Sequence, residues 1–371
     1  MTDSPASHTP AVHGGDVWQA AAEFGIPADE LLDFSANINP RGLPAGARLR
    51  LRREAADPRL LMRYPDPSAG ELRSVLSRRL QLPPEAIAIG AGAEALIGAS
   101  LSSLGARRCL VPVPAFSEYA RACASCGAVF EPFALDPELD FHLNVGAFCG
   151  TLRSGQRDCA VLNNPHNPSG ALLAAAEVRR ILDTAEAGEV RVLLDEAFID
   201  YAPGASLLQE AVRRPGVIVV RSLTKFYGCP ALRVGYAVGA PPSIARLAAS
   251  TPTWPVTLLA LNALGEAVGD DVYAETTLRE NEFERSRLAA DLAALGAQVF
   301  PSAANFLLVR LPAGWPAAAS IRERLISGHR ILVRNCDSYE GLERGRYLRV
   351  AVRTATDNGR LIEAFKQVVK E

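Results

Sequence analysis

Arg221-Ser222-Leu223-Thr224-Lys225-Phe226-Tyr227 follows the apolar run 217–220 and precedes Pro230-Ala231-Leu232-Arg233-Val234-Gly235-Tyr236. A lysine directly after a buried strand is unusual. An amine forms a Schiff base with an aldehyde only when deprotonated, and partial burial beside other cationic groups lowers its pKa toward that state. Ser222, Thr224 and Arg233 are the donors a phosphate needs. Taken alone, a loop lysine and a surface arginine would be the more ordinary reading.

Upstream, Val192-Leu193-Leu194 reads as a buried strand ending in Asp195-Glu196-Ala197-Phe198, which places a carboxylate at the strand's C-terminal end. Ligands of open α/β sheets gather at that edge. A carboxylate paired with a protonated pyridine nitrogen keeps such a ring cationic and makes it an electron sink. By itself, Asp195 could equally be a helix cap. Asn163-Asn164-Pro165-His166-Asn167-Pro168-Ser169-Gly170 is a turn by composition. Gly90-Ala91-Gly92-Ala93-Glu94 is a Gly-rich entry to a helix, whose free amides and dipole favour a phosphate.

Apolar runs at 109–113, 160–163, 190–194, 217–220 and 234–238 alternate with helical patterns. This alternation predicts an α/β fold whose large domain holds a mostly parallel sheet covered on both faces. A charged helical pattern through 279–295 connects it to a smaller α+β domain with strands at 306–309, 330–333 and 347–352 and helices at 318–325 and 358–369. The expected division is an N-terminal arm at 1–40, a large domain at 41–255 and a small domain at 256–371.

In this order and spacing the four elements resemble the fold-type I pyridoxal-phosphate enzymes, the aspartate-aminotransferase superfamily, over nearly the whole chain. Within it the sequence is similar to the threonine-phosphate decarboxylase family, relatives of the histidinol-phosphate aminotransferases. The segments that carry this are His13-Gly14-Gly15, Asp33-Phe34-Ser35-Ala36-Asn37-Ile38-Asn39-Pro40, Arg63-Tyr64-Pro65-Asp66, Asp195 to Asp200, Ser222 to Tyr227 and Tyr347-Leu348-Arg349-Val350-Ala351.

The resemblance implies that pyridoxal 5'-phosphate is the cofactor, that Lys225 holds it covalently, that Asp195 pairs with the pyridine nitrogen and that Asn167 bonds the ring oxygen. It further implies that Tyr119 stacks on the ring. The phosphate would be held by the amides of Ala93 and Glu94, by Ser222, Thr224 and Arg233, and by Tyr64 from the second subunit of a homodimer. His13, Asn37, Arg334 and Arg349 would bind a phosphorylated amino acid, with Arg349 nearest the carboxylate and Arg334 and His13 nearest the phosphate. The implied reaction is decarboxylation of L-threonine O-3-phosphate in assembly of a cobalamin side chain, with histidinol-phosphate aminotransferase activity as the alternative. Phe198 replaces a tyrosine frequent in the aminotransferases, which favours the decarboxylase; Gly228-Cys229 and His166 also depart from the usual pattern.

Bulk properties narrow the partners. A net charge of -2 with a pI of 6.3 gives no global attraction for nucleic acid or an anionic membrane. The seven cysteines lack the spacing of a disulfide framework, and the pair Cys123 and Cys126 has no second pair to complete a metal site. With no basic leader and no run approaching eighteen apolar residues, the reading is a cytoplasmic protein that neither spans nor coats a membrane.

Overall fold

The computed structural model describes residues 14–370. His13, the expected phosphate ligand of the arm, lies outside the described residues. The described strands are, in chain order, β1 (Leu32–Asp33), β2 (Ile87–Gly90), β3 (Arg108–Val113), β4 (Val129–Ala134), β5 (Cys159–Asn163), β6 (Arg191–Asp195), β7 (Val217–Ser222), β8 (Gly235–Gly239), β9 (Gln298–Val299), β10 (Phe306–Arg310), β11 (Ile331–Leu332), β12 (Arg334–Asn335) and β13 (Tyr347–Ala351).

Seven of these form one sheet in the order β2-β8-β7-β6-β5-β3-β4. Its neighbours pair in parallel except β8, which runs antiparallel to both β2 and β7. Successive residues of the central strands enter different cores. Leu162, Val192, Leu194 and Val219 join one cluster, while Val161, Leu193, Ile218 and Val220 join the other. A sheet buried on both faces needs such continuous apolar strands, which is why these five were readable from the sequence. β2 and β4 were not read as strands. Both lie at sheet edges, and β4 carries Pro132 and exposes part of its length, as an edge strand can.

The smaller layer is a sheet in the order β12-β13-β10-β9, packed on the helices Ala318–His329 and Ala355–Val368. The strand expected at 330–333 forms as the shorter β11, and a second short strand, β12, follows it. β11 pairs in parallel with β1, and β12 pairs with β13. Phe34 joins the small-domain core beside Leu348 and Val350, so the end of the expected arm packs with that domain.

Packing also departs from a boundary at 255/256. The helix Leu258–Val268 is buried nearly all round and belongs to the large core, together with Leu72 and Leu76. A helix apolar on every side must be enclosed, whereas the following helix Asp271–Ala294 is largely exposed and contributes Leu288 and Leu292 to the small core.

Candidate active site

Strands β5, β6 and β7 end side by side, and their register brings Asn163 opposite Asp195 and Asp195 opposite Val220. A cavity of about 470 Å³ opens over these ends. Ala93, Glu94, Asn167, Asp195, Ser222, Thr224, Lys225 and Arg233 all line it, as do Asn37, Arg334 and Arg349 from the other side.

Asp195 is 3% exposed. Its Oδ2 accepts from the Tyr119 hydroxyl at 2.6 Å and its Oδ1 from the Ala197 amide at 2.8 Å. Burial pushes its carboxyl up to about 6, against the pull of those two donors and of Lys225. Lys225 sits at the end of β7 in the short helix Leu223–Phe226. Burial, then Arg349 and Arg233, brings its amine down to about 8. A cation so placed has lost solvation without gaining a carboxylate contact strong enough to restore it.

Gly92 adopts φ +88° ahead of the helix Ala93–Leu104, whose first turn has no side-chain cap. Its leading amides are therefore available to an anion. Ser222 Oγ and Thr224 Oγ1 lie 2.9 Å apart, both lining the cavity, and Arg233 makes an exposed 3.5 Å contact with Glu94. A Cβ on Gly235 would meet the Ala93 amide nitrogen, the Arg221 carbonyl oxygen and the Gly92 carbonyl carbon, each at 2.8 Å. Backbone has nowhere to yield there. Gly235→Ala is expected to raise the dissociation constant for a phosphorylated cofactor by about tenfold or more, because charge-assisted bonds in this cradle depend on position. Equilibrium titration of the cofactor-free protein checks this, and an unchanged constant would show that the cradle does not hold phosphate.

Across the cavity, β12 and β13 put Arg334 directly opposite Arg349. Leu348 and Val350 turn into the small core, so Arg349 turns away from it, as the alternation of a strand requires. Its Nη1 donates to Asn167 Oδ1 at 2.6 Å and Tyr339 Oη at 3.1 Å, and its Nη2 donates to the Ser35 carbonyl at 2.8 Å. Because Asn167 Oδ1 is occupied in this way, its Nδ2 is left to donate to another acceptor. Arg334 Nη2 donates to Ser338 Oγ at 2.7 Å and its guanidinium lies over Tyr339. Asn37 Oδ1 and Arg349 Nε are buried without a hydrogen-bond partner among the described residues.

Two expected cofactor contacts lie outside this chain's own cavity lining. Tyr119 is 2% exposed and is not among the cavity-lining residues; its hydroxyl donates to Asp195. Of these two aromatics it is Phe116, three residues earlier, that lines the cavity, while Tyr119 lies in the helix Glu118–Ser125 and packs edge-on against Phe116 within the core. Tyr64, expected to act from the second subunit, is not among the residues lining this chain's own cavity; it is 78% exposed, with its ring stacked on Trp254 at 4.5 Å. Tyr339 also lines the cavity. Nothing in its loop sequence pointed there.

The residues fit pyridoxal phosphate: a depressed amine, a buried carboxylate, an uncapped helix start with two hydroxyls and an arginine, and apolar walls at Phe116 and Ala197. Comparisons agree. Residues 29–365 match the family Aminotransferase class I and II. The chain is 36% identical to a threonine-phosphate decarboxylase of Salmonella typhimurium over 97% of each chain. The structure superposes on L-threonine-O-3-phosphate decarboxylase from Porphyromonas gingivalis with a TM-score of 0.80 at 25% identity, covering 91% of this chain and 99% of that one. It shares its fold with histidinol-phosphate aminotransferase from Sinorhizobium meliloti in complex with pyridoxal-5'-phosphate, at a TM-score of 0.85, 22% identity and 99% coverage of each chain. Sequence, cavity and comparisons together make this chain a pyridoxal-phosphate enzyme that belongs to the aminotransferase class I and II family.

Proposed function

We propose that the chain decarboxylates L-threonine O-3-phosphate to (R)-1-amino-2-propanol O-2-phosphate, as a cytoplasmic homodimer, in assembly of a cobalamin side chain. The carrying observation is the pair Arg334 and Arg349, cross-strand neighbours that line the same cavity as Lys225 and Asp195. Like charges directly opposite one another repel, so a ligand bearing two anionic groups relieves both. Threonine phosphate carries a carboxylate and a phosphate; histidinol phosphate carries only the phosphate. The likeness to threonine-phosphate decarboxylases supports the same choice.

When bound, pyridoxal phosphate supplies an aldehyde for the substrate amine and a cationic ring that takes up the electron pair left on Cα as carbon dioxide departs. Asp195 holds the proton on the ring nitrogen. Lys225, with its amine near neutrality, delivers a proton to Cα after the carboxylate has gone. Arg349 receives the carboxylate. A grip on that group which persisted unchanged would stabilise the ground state and oppose its loss, so the orientation energy falls to the phosphate contacts proposed for Arg334 and for His13, which lies outside the described residues. Phe198 presents a wall without a hydroxyl, packed edge-on against Phe306 at 5.0 Å. Tyr64, exposed beside Trp254, reaches the phosphate cradle of a second copy. Among the described residues no helix is long and apolar enough to cross a membrane.

The test is carbon dioxide release from L-threonine O-3-phosphate by cofactor-loaded protein without any 2-oxo acid. Sustained turnover is expected. L-serine O-phosphate, one methyl smaller, should be disfavoured by about 1–3 kcal/mol in kcat/KM. Absence of carbon dioxide, with histidinol phosphate converting the cofactor to its amine form, would sink the proposal in favour of the aminotransferase.

A further inference from the structure

On the side of the sheet ends away from the cavity lies a buried ion pair that the reaction does not touch. Glu196 is 1% exposed and Arg221 6% exposed. Arg221 Nε and Nη2 donate to Glu196 Oε2 at 2.9 and 2.8 Å. Ser206 Oγ donates to the same oxygen at 2.8 Å, and the Leu207 amide donates to Oε1 at 2.8 Å. Arg221 Nη1 reaches Asp200 Oδ1 and Tyr236 Oη, each at 3.3 Å. Every oxygen of Glu196 is thus occupied, and both charges lie where neighbouring positions of the same strands, Leu194 and Val219, are apolar.

Such a pair is weak evidence for stability, since apolar residues of similar volume often serve equally well. Its position suggests another use. Glu196 follows Asp195 directly, and its amide donates to the Val220 carbonyl at 2.8 Å. With both the amide and the carboxylate of Glu196 pinned, the next peptide has one orientation, and its Ala197 N–H donates to Asp195 Oδ1 at 2.8 Å. Tyr119 fixes the other oxygen. A change at Arg221 would release the Glu196 side chain, let the Glu196–Ala197 peptide turn and free Asp195 to rotate.

We propose that Glu196 and Arg221 are positioning residues that aim the Asp195 carboxylate at the pyridine nitrogen through the Ala197 amide. The inference rests on the reading of Asp195 as the partner of that nitrogen, and one experiment separates the two. Cofactor-free, full-length protein is titrated calorimetrically with pyridoxamine 5'-phosphate and with its 1-deaza analogue, in which CH replaces the ring nitrogen. Wild type should prefer the nitrogen-containing ligand by about tenfold or more, the scale of a hydrogen bond to a charged group. In the double variant Glu196→Gln with Arg221→Met, which removes both charges and keeps an acceptor for the Leu207 amide, the preference should fall to within about twofold of unity. Arg221→Lys, which cannot span Glu196 with two prongs, should give an intermediate preference and carries the test if the double variant does not fold.

A purely structural pair would weaken both ligands equally and leave their ratio unchanged, and that result overturns the inference while the Asp195 reading stands. Equal binding of the two ligands by wild type would instead overturn the Asp195 reading and the inference with it.

Discussion

Lys225→Ala is expected to lower kcat for decarboxylation of threonine phosphate by at least about a thousandfold, the upper range of what a positioned proton carrier contributes. Among the described residues no other lysine lines the cavity. The chain has three lysines, and Lys366 and Lys370 lie in and after the last helix, Ala355–Val368. The phosphate cradle does not involve the amine, so cofactor should still bind non-covalently. Steady-state carbon dioxide release measures the loss, and a fall of less than tenfold would remove Lys225 from its assigned role.

A stability measurement on the same position gives an independent check. In the cofactor-free protein Lys225 is brought down to about 8 by burial, below its ordinary value of 10.5. Between those two pH values the unfolded chain binds more protons than the folded one, so stability rises with pH across that window. Below about 8 the buried cation is a standing cost. Lys225→Met should therefore raise the melting temperature at pH 7 by about 1–3 °C, and the gain should vanish as pH approaches 10.5. A gain independent of pH would mean that the charge is not its source.

Asp195→Asn should lower kcat by at least about a hundredfold, the scale associated with loss of a preorganised electrostatic contact. The amide keeps the volume of the carboxyl, so Tyr119 and the Ala197 amide still have a partner of similar shape, but it cannot hold a positive charge on the ring nitrogen. Burial already places the Asp195 carboxyl at about 6, and an adjacent cation favours its charged form. kcat at saturating substrate, with cofactor loading confirmed by absorption, is the measurement. Full activity in this variant would show that the ring does not need its nitrogen protonated.

The parts of the site carried by strand ends were legible in the sequence, because Asp195, Ser222 and Lys225 each follow an apolar run whose direction and burial set where they emerge. Arg349 was legible for a related reason, since Leu348 and Val350 leave it only the other face. Phe116, which lines the cavity, carried no signal that set it apart from Tyr119. The two aromatics stand three apart, and which one faces the cavity depends on where the helix Glu118–Ser125 begins, a matter of a residue or two that periodicity does not resolve. The helix Leu258–Val268 packs with the large core although it follows the expected boundary at 255/256, because an apolar segment reports that it is enclosed without saying by what. The Glu196–Arg221 pair left no local trace, being formed between adjacent strands whose partners lie 25 residues apart in the chain.

The pairing of β1 with β11, together with the grip of Arg349 on the Ser35 carbonyl, has an evolutionary reading. Asn37, Arg334 and Arg349 line the cavity from the side of the smaller sheet, while Lys225, Asp195 and the phosphate cradle belong to the larger one, and Arg349 donates to Asn167 across the seam. Diversification on the small side can then exchange what is recognised while the apparatus for bond breaking stays as it was, so a lineage can trade substrates without reinventing its chemistry.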